Sequence, residues 1–134
     1  MNRKALGALV FADPKQRERL NALMWPRLIQ LTKEKIQEKG GICIIDAALL
    51  IESGLHEICD EVWLIVAPEK VRCERIIKRD HLDDQQAMLR IQSQMPEEEK
   101  RKYATRVLDS MVGVDTLIEN ARLLYQQVRG GLYD

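Results

Sequence analysis

The chain has 134 residues, 46% of them hydrophobic, and its 21 basic residues are balanced by 21 acidic ones. This length suggests one domain with a sizeable core. Balanced charge argues against nucleic-acid binding, and no apolar run reaches the roughly 18 residues of a membrane span. The first residues are not followed by the apolar segment of a secretory signal, so we expect a cytoplasmic protein without nucleic-acid or membrane partners.

The first predicted helix begins after Asp13, where a capping carboxylate precedes Pro14 at the first helical position and Gln16 lies three residues after the cap. We expect a break or kink near Pro26, because proline lacks the amide donor and clashes with the preceding turn. A second helix then continues to Lys39. This amphipathic stretch is expected to pack on a sheet; the alternative is that it binds a partner.

Three short apolar runs predict strands, at residues 42–45 (ICII), 62–66 (VWLIV) and, more weakly, 106–109 (RVLD). They alternate with longer helical segments, which is typical of α/β domains with a parallel sheet. Continuous apolar runs favour strands that are covered on both faces. The expected fold class is therefore α/β, with three layers: a parallel sheet and helices on both of its faces.

The later helices have recognisable start sequences. Asp83 and Gln86 form a capping pair, and three glutamates after Pro96 favour the first turn of a short helix. The predicted helices cover residues 68–79, residues 83–94, a short stretch from Pro96, and a last amphipathic helix that starts at Asp115 and ends at Gly130-Gly131.

The cysteines and histidines show no metal-binding pattern. Cys43, Cys59 and Cys73 have no C-x-x-C spacing, so we expect reduced thiols. His56 and His81 are isolated in the sequence, and we expect both at solvated loop or helix-end positions. No metal site is predicted from these residues.

Three arginines on one predicted helix are candidate phosphate ligands. Arg72, Arg75 and Arg79 are spaced three and four residues apart and therefore share a face. Guanidinium groups match phosphate oxygens in a bidentate manner, and a helical hairpin that carries them could close over a triphosphate. The alternative is a solvated face with internal ion pairs through Glu69, Glu74 and Asp80.

Two carboxylates follow the first predicted strand. Asp46 comes directly after residues 42–45, and Glu52 lies six residues further on. Ligands of open parallel sheets bind beyond the carboxyl ends of the strands, so Asp46 is a candidate for holding a magnesium-bound water or a substrate hydroxyl. The alternative is that Asp46 caps a helix or turn.

Five segments in order resemble motifs of one enzyme family. Each motif would be weak alone, but together they span almost the whole chain. The segments are residues 3–13 (R-x-x-L-x-x-x-V-F), residues 20–29 (L-x-x-I-x-H-P-x-I), residues 46–52 (D-x-P-L-L-F-E), residues 75–96 (a lid followed by R-I-x-x-Q-M-P) and residues 104–110 (A-D-x-V-I-D-N).

These motifs resemble the dephospho-coenzyme A kinases, a family with the P-loop NTPase or nucleoside-phosphate kinase fold. The resemblance implies transfer of the ATP γ-phosphate to the 3′-hydroxyl of dephospho-coenzyme A, the last step of coenzyme A synthesis, with Mg²⁺ as cofactor. It implies that Arg75 and Arg79 are lid residues that contact phosphates. It also implies that residues 3–29, including Arg3, hold the coenzyme A moiety, and that the acceptor side is lined by Asp46, Leu49, Leu50 and Glu52.

The same resemblance divides the chain into four parts of a single partial kinase domain. They are a helical coenzyme A-side segment (1–39), core strands (40–67), a lid with flanking helices (68–104), and a last strand with the C-terminal helix (105–134). The sequence departs from the family motifs at four positions, since Trp25 replaces His, Ala48 replaces Pro, Thr105 replaces Asp and Ser110 replaces Asn.

No stretch of the 134 residues reads G-x-x-x-x-G-K-[ST], the loop that cradles nucleotide phosphates in such kinases. The family's first strand, its phosphate loop and the acidic motif that supplies the catalytic base have no counterpart here. The resemblance thus matches the C-terminal two-thirds of the family and implies a domain truncated at its N-terminus. We expect no catalytic residue and no turnover in the isolated chain.

In this class of kinase the phosphate-loop strand lies between the strands that match residues 42–45 and 62–66. Without it, two strand edges would be unpaired, so we expect direct pairing of these strands, a homodimer or a strand-swapped oligomer. Two functional alternatives stay open: half of a split kinase, and a non-catalytic nucleotide- or coenzyme A-binding module. The ordered motifs disfavour a different nucleoside-phosphate kinase.

Overall fold

A computed structural model describes residues 1–133, with side chains described through Gly131. Helices and two short strands alternate along this part of the chain, together with 3-10 turns at Leu55–Ile58 and Ser110–Val112. The elements are α1 (Arg3–Ala12), α2 (Pro14–Lys39), β1 (Trp63–Val66), α3 (Glu69–Asp80), α4 (Asp84–Gln92), α5 (Glu97–Arg101), β2 (Arg106–Asp109) and α6 (Val114–Tyr133).

Strands β1 and β2 form a parallel pair, in register from Trp63 opposite Arg106 to Val66 opposite Asp109. Because parallel strands need a crossover connection, the chain between them makes α3, α4 and α5. The two later strand predictions and the parallel α/β class are confirmed. Within residues 1–133 the sheet has only these two strands, so a full three-layer sheet is not formed by them.

The predicted strand at residues 42–45 is wrong. These residues have no regular structure, and Ile44 is 82% exposed. Gly40 and Gly41 precede them with φ of 65° and 67°, values that favour glycine and that turn the chain out of an extended path. No neighbouring strand satisfies the backbone of this run, and the expected direct pairing with β1 does not occur.

The predicted break at Pro26 is wrong, since α2 is one continuous helix through this proline; the alternative of a kink stays a prediction. Proline removes only one backbone donor, so the helix can continue on either side of it. The predicted start is confirmed: the Asp13 carboxylate accepts a hydrogen bond from the Lys15 amide at 3.0 Å. Helix α2 packs along α1 and has no buried residue of its own.

The helices around α4 follow the sequence prediction closely. Asp83 and Gln86 form a reciprocal capping box, with distances of 2.7 Å and 3.2 Å between the bonded atoms. Helix α6, in contrast, does not end at Gly130-Gly131 but is helical through Tyr133. Neither glycine has the positive φ that ends a helix, so that predicted boundary is wrong.

The core lies where the turn after Ala48 meets the sheet and α4. Leu55 is the most deeply buried large residue, at 2% exposed. Several large apolar side chains stay open to solvent, among them Leu23 and Ile65. None of the helices in residues 1–133 is long and apolar enough to cross a membrane. The buried apolar residues are Val10, Ile51, Leu55, Val62, Ala67, Ala87 and Leu108.

Polar contacts hold the beginning of the strand pair. The buried Val62 amide donates to Thr105 Oγ1 at 2.9 Å, and the Thr105 amide donates to the Val62 carbonyl at 2.8 Å. Next to them, Arg106 donates to Glu61 with Nε–Oε2 of 2.8 Å. The hydrogen bonds from Arg106 and Trp63 lower the pKa of Glu61. Thr105, which departs from the family motif, thus has a structural task in this chain.

We expect Thr105→Val to destabilise the fold by about 1–3 kcal/mol, because it leaves the buried Val62 amide without its acceptor. Urea unfolding followed by circular dichroism measures this loss. Thr116→Val, at an exposed position of α6, is the matched control and should change the free energy of unfolding by less than about 0.5 kcal/mol. Equal losses in both variants would contradict the assigned role of the Thr105 hydroxyl.

Candidate functional site

A cleft of about 720 Å³ opens at the carboxyl ends of β1 and β2. This is the edge of a parallel sheet at which ligands bind. The strand ends, the first turns of α3, the loop after α4 and the helix α5 form its walls. The lining residues are Val66, Ala67, Pro68, Glu69, Arg72, Ile91, Gln92, Gln94, Met95, Pro96, Glu97, Glu98, Arg101, Asp109 and Met111.

Arg72 and Arg101 are the cationic side chains that line the cleft. Arg101 is already paired, since its Nε donates to Glu97 Oε2 at 3.2 Å. The Nε of Arg72 is buried and has no hydrogen-bond partner among the described residues. An unsatisfied buried guanidinium donor is costly. Because this atom is closed to solvent, a phosphate oxygen in the cleft would reach it only when the Arg72 side chain turns toward the cleft. Arg72 is therefore the residue best prepared to receive an anion in this cleft.

Arg75 lies one turn further along α3 and does not line the cleft. Its Nη1 donates to Ser110 Oγ at 2.9 Å, and this hydroxyl in turn donates to the Val66 carbonyl at 2.9 Å. The chain of bonds joins α3 to the ends of both strands. Ser110, where the family motif has Asn, is thus a bridge between Arg75 and β1.

Arg79 lies outside the cleft as well. Two of its nitrogens, Nε and Nη2, each donate to a different oxygen of Asp80 at 2.9 Å. Asp80 Oδ2 also accepts from Arg90 Nη1 at 2.6 Å. The guanidinium of Arg90 lies 5.3 Å from the centre of the Phe11 ring, which is within cation–π range. These contacts join α3, α4 and α1, and the Arg79 hydrogen bonds are the main reason that the pKa of Asp80 is lowered.

None of the residues expected on the acceptor side lines the cleft. Asp46 is exposed in the irregular segment before residues 48–54, which we call the core turn. Arg3 is exposed at the start of α1. Leu49 and Leu50 are half-buried in that turn. Glu52 is nearest, because its Oε2 accepts a hydrogen bond from the amide of Met95, a lining residue, at 3.2 Å.

Sequence reasoning missed Lys100, whose side chain is only 13% exposed. Its Nζ donates to Gln94 Oε1 at 2.8 Å and lies 3.6 Å from Glu52 Oε2. The sequence places Lys100 after three glutamates, a pattern that indicates a solvated short helix. A contact across 48 residues of sequence leaves no trace in local spacing.

A family model described as dephospho-CoA kinase matches residues 1–115. The chain belongs to the dephospho-CoA kinase family. The dephospho-CoA kinase of Parasynechococcus marenigrum is 38% identical over 120 residues, which cover 88% of this chain and 61% of that protein. The enzyme of Moorella thermoacetica is 31% identical over 139 positions, covering 100% of this chain and 66% of its own length. The chain thus spans about three fifths to two thirds of these relatives.

Solved structures agree with the family assignment. A crystal structure of a Thermus thermophilus protein superposes with a TM-score of 0.73 and 31% identity, covering 94% of this chain and 66% of the other. The dephospho-CoA kinase from Campylobacter jejuni superposes with a TM-score of 0.64 and 25% identity, covering 98% and 67%. The likeness extends over almost all of this chain, so its α/β arrangement is that of the family.

The cysteines and histidines lie outside the cleft. The three cysteines are free, and burial raises the pKa of Cys59. His81 ends α3 with a positive φ of 55°, which confirms a helix-end position. His56 instead packs edge-to-face on Tyr103, with ring centres 5.0 Å apart. Among the side chains that the structure describes, no group of three or more His, Cys, Asp or Glu is placed to hold a metal ion. A Mg²⁺ ion held chiefly by substrate phosphates needs no such group.

We expect Arg79→Met to raise the pKa of Asp80 toward its ordinary value of about 3.8, because the Arg79 hydrogen bonds favour the ionised carboxylate most. Since the pKa is lowered in the folded chain, Asp80 contributes stability above pH of about 3.8 and loses it as pH falls through the folded pKa. Carboxyl chemical shifts followed by NMR measure the midpoint. Lys78→Met, an exposed neighbour on α3, should leave that midpoint in place, and an unchanged midpoint in Arg79→Met would refute the assignment.

Proposed function

We propose that this chain acts in the dephospho-CoA kinase reaction, the transfer of the ATP γ-phosphate to the 3′-hydroxyl of dephospho-coenzyme A. The observation that carries the proposal is the cleft beyond β1 and β2, in which Arg72 Nε is buried without a partner. A phosphate group is the anionic acceptor that this donor lacks, and it would be reached when the Arg72 side chain turns from its buried position toward the cleft. Family membership supports the choice of reaction.

In this proposal Arg72 binds a phosphate of the bound nucleotide, and its fixed charge stabilises the negative charge of the transferring group. Arg75 and Arg79 act on the same helix as the lid residues that the family resemblance implies. Both would have to exchange their present partners, Ser110 and Asp80, for phosphate oxygens. The coenzyme A side would be held by α1 and α2, including Arg3, and the acceptor side by Asp46, Leu49, Leu50 and Glu52.

The proposed division of labour follows the four segments expected from the sequence. Residues 1–39 hold the coenzyme A moiety, 40–67 carry the acceptor turn and β1, 68–104 form the lid, and 105–134 carry β2 and the last helix. We further propose that the three-layer sheet is completed when another strand pairs with the open edge of β1. The exposed Ile65 and the disengaged residues 42–45 support this view.

Phosphoryl transfer depends on positioning and on charge stabilisation rather than on covalent chemistry of the protein. Mg²⁺, when bound, would supply positive charge that offsets the negative charge of the phosphate groups. The described side chains include no group of three or more His, Cys, Asp or Glu for this ion, so substrate phosphates would have to provide much of its coordination. No segment of the 134 residues has the G-x-x-x-x-G-K-[ST] pattern, so we propose that these residues alone bind substrate without turnover.

A binding role without catalysis is the second candidate. It is favoured by Trp25, Ala48 and Thr105, which replace family residues on the proposed acceptor side and at the start of β2. The Thr105 hydroxyl accepts a hydrogen bond from the Val62 amide, which supports a structural role for at least this substitution. A non-catalytic module and half of a split kinase differ in one testable respect: only the latter becomes active when a phosphate loop is supplied.

Arg72→Ala should weaken binding of the phosphate-bearing ligand about tenfold or more, because a charge-assisted hydrogen bond contributes about 1.5–3 kcal/mol. Isothermal titration calorimetry with ATP and with dephospho-coenzyme A, each alone, identifies which ligand depends on Arg72. Arg129→Ala, an exposed arginine of α6, is the matched control. Equal affinity in the Arg72→Ala variant and the unchanged chain would exclude the cleft as the phosphate site.

The 134-residue chain should release no ADP above background when it is incubated with ATP, dephospho-coenzyme A and Mg²⁺, since the phosphate loop and its lysine supply much of the charge stabilisation. Addition of a polypeptide that contains the part of the Parasynechococcus marenigrum enzyme that this chain does not cover tests the split-kinase hypothesis. ADP release only in the mixture supports that hypothesis. Robust release by the chain alone would refute the proposed dependence on the loop.

A further inference from the structure

We propose that Glu52 and Lys100 are positioning residues that hold the cleft wall in its binding geometry from behind. Neither side chain lines the cleft, whereas Gln94, Met95 and Arg101 do. The two charges form an ion pair with exposures of only 12% for Glu52 and 13% for Lys100. This inference rests on the proposed function, since the wall matters only if the cleft binds a ligand, and it replaces substrate contact by Glu52 with an indirect role.

The pair joins three segments that are distant in sequence. Glu52 Oε2 accepts from the Met95 amide at 3.2 Å. Lys100 Nζ donates to Gln94 Oε1 at 2.8 Å and to the Ala48 carbonyl at 3.2 Å. The core turn, the loop after α4 and α5 therefore meet at one ammonium group.

Of the segments that meet at Lys100, the core turn is the one anchored by buried apolar side chains. Ile51 and Leu55, on either side of Glu52 and Ser53, are 8% and 2% exposed. Helix α5 is the dependent side, because it has only five residues and none of them is buried. Packing alone therefore holds α5 weakly, and the ion pair of Lys100 with Glu52, which is largely shielded from solvent, ties it to the core.

The pair also controls where Arg101 lies. Lys100 and Arg101 are consecutive residues of α5, so their side chains leave the helix about 100° apart. With Lys100 held against Glu52, Arg101 is directed to the cleft, where it is a lining residue. Loss of the pair would let α5 rotate and would move Arg101 and the Met95 wall together.

Glu52 has a further feature that makes Lys100 necessary. Its second oxygen, Oε1, is buried and has no hydrogen-bond partner among the described residues. A buried carboxylate needs a compensating cation nearby, and Lys100 is the cation within 4 Å. A purely structural pair would be replaceable by apolar groups of similar shape, whereas a positioning pair would not keep the wall geometry after that replacement.

The test uses the 134-residue chain with Lys100→Met, Glu52→Gln and the double variant. Lys102→Met is the matched control. It removes a lysine at the end of the same helix, and the ion pair of this lysine with Glu99 is exposed. We expect Lys100→Met and Glu52→Gln to weaken binding of the Arg72-dependent ligand roughly tenfold. The double variant should lose no more than either single variant, and Lys102→Met should stay within about twofold of the unchanged chain.

A structural readout separates this inference from the proposed function. In ¹⁵N-labelled protein, the amide signals of Met95 and Glu97, which are not sequence neighbours of either substituted lysine, should shift in Lys100→Met and not in Lys102→Met. If the unchanged chain binds neither ATP nor dephospho-coenzyme A, the proposed function fails and these signals alone decide the positioning role. Unmoved signals, or moved signals with full ligand affinity, overturn the inference. Should Lys100→Met fail to fold, Lys100→Arg and Glu52→Gln provide the same comparison.

Discussion

The parallel pairing of β1 with β2 is the constraint on which the rest of the structure depends. It places Val66 opposite Asp109, and so brings two carboxyl strand ends to one edge. The 39 residues between the strands must cross over from the end of β1 to the start of β2, and parts of α3, the loop after α4 and α5 line the cleft at the carboxyl edge. The cleft is therefore a consequence of strand direction, and the arginine-bearing helix that opens directly after β1 is delivered to it.

A sheet of two strands has little apolar area with which to hold these elements, and polar contacts do part of the work. Thr105 secures the beginning of the pair through Val62, Ser110 secures its end through Val66, and Lys100 joins α5 to the core turn. Each of these bonds spans more than 40 residues of sequence. Since buried polar groups lose much when one partner is removed, the cleft geometry depends on few atoms.

Contacts between residues that are close in sequence could be predicted, whereas contacts between distant segments could not. The capping box of Asp83 involves neighbours in sequence, so its residues predict it fully. Residues 42–45 have the composition of a strand, but a strand also requires a partner backbone, and no local pattern reveals that the partner is absent. The family motifs predict a lid over residues 68–104, which stays a prediction, but they could not reveal that Lys100 is only 13% exposed, because its contacts with Glu52 and Gln94 arise only after folding.

The three arginines on one face of α3 differ in their hydrogen-bond partners. Arg79 is neutralised by Asp80, Arg75 is engaged by the neutral hydroxyl of Ser110, and Arg72 Nε has no partner. The free-energy cost of moving a guanidinium to a phosphate is therefore lowest for Arg72 and highest for Arg79. An ion pair must be broken for Arg79, whereas only a neutral hydrogen bond must be broken for Arg75. A ligand would therefore meet Arg72 first, and recruitment of the outer arginines would require it to carry enough charge to compete with a carboxylate, as a triphosphate does.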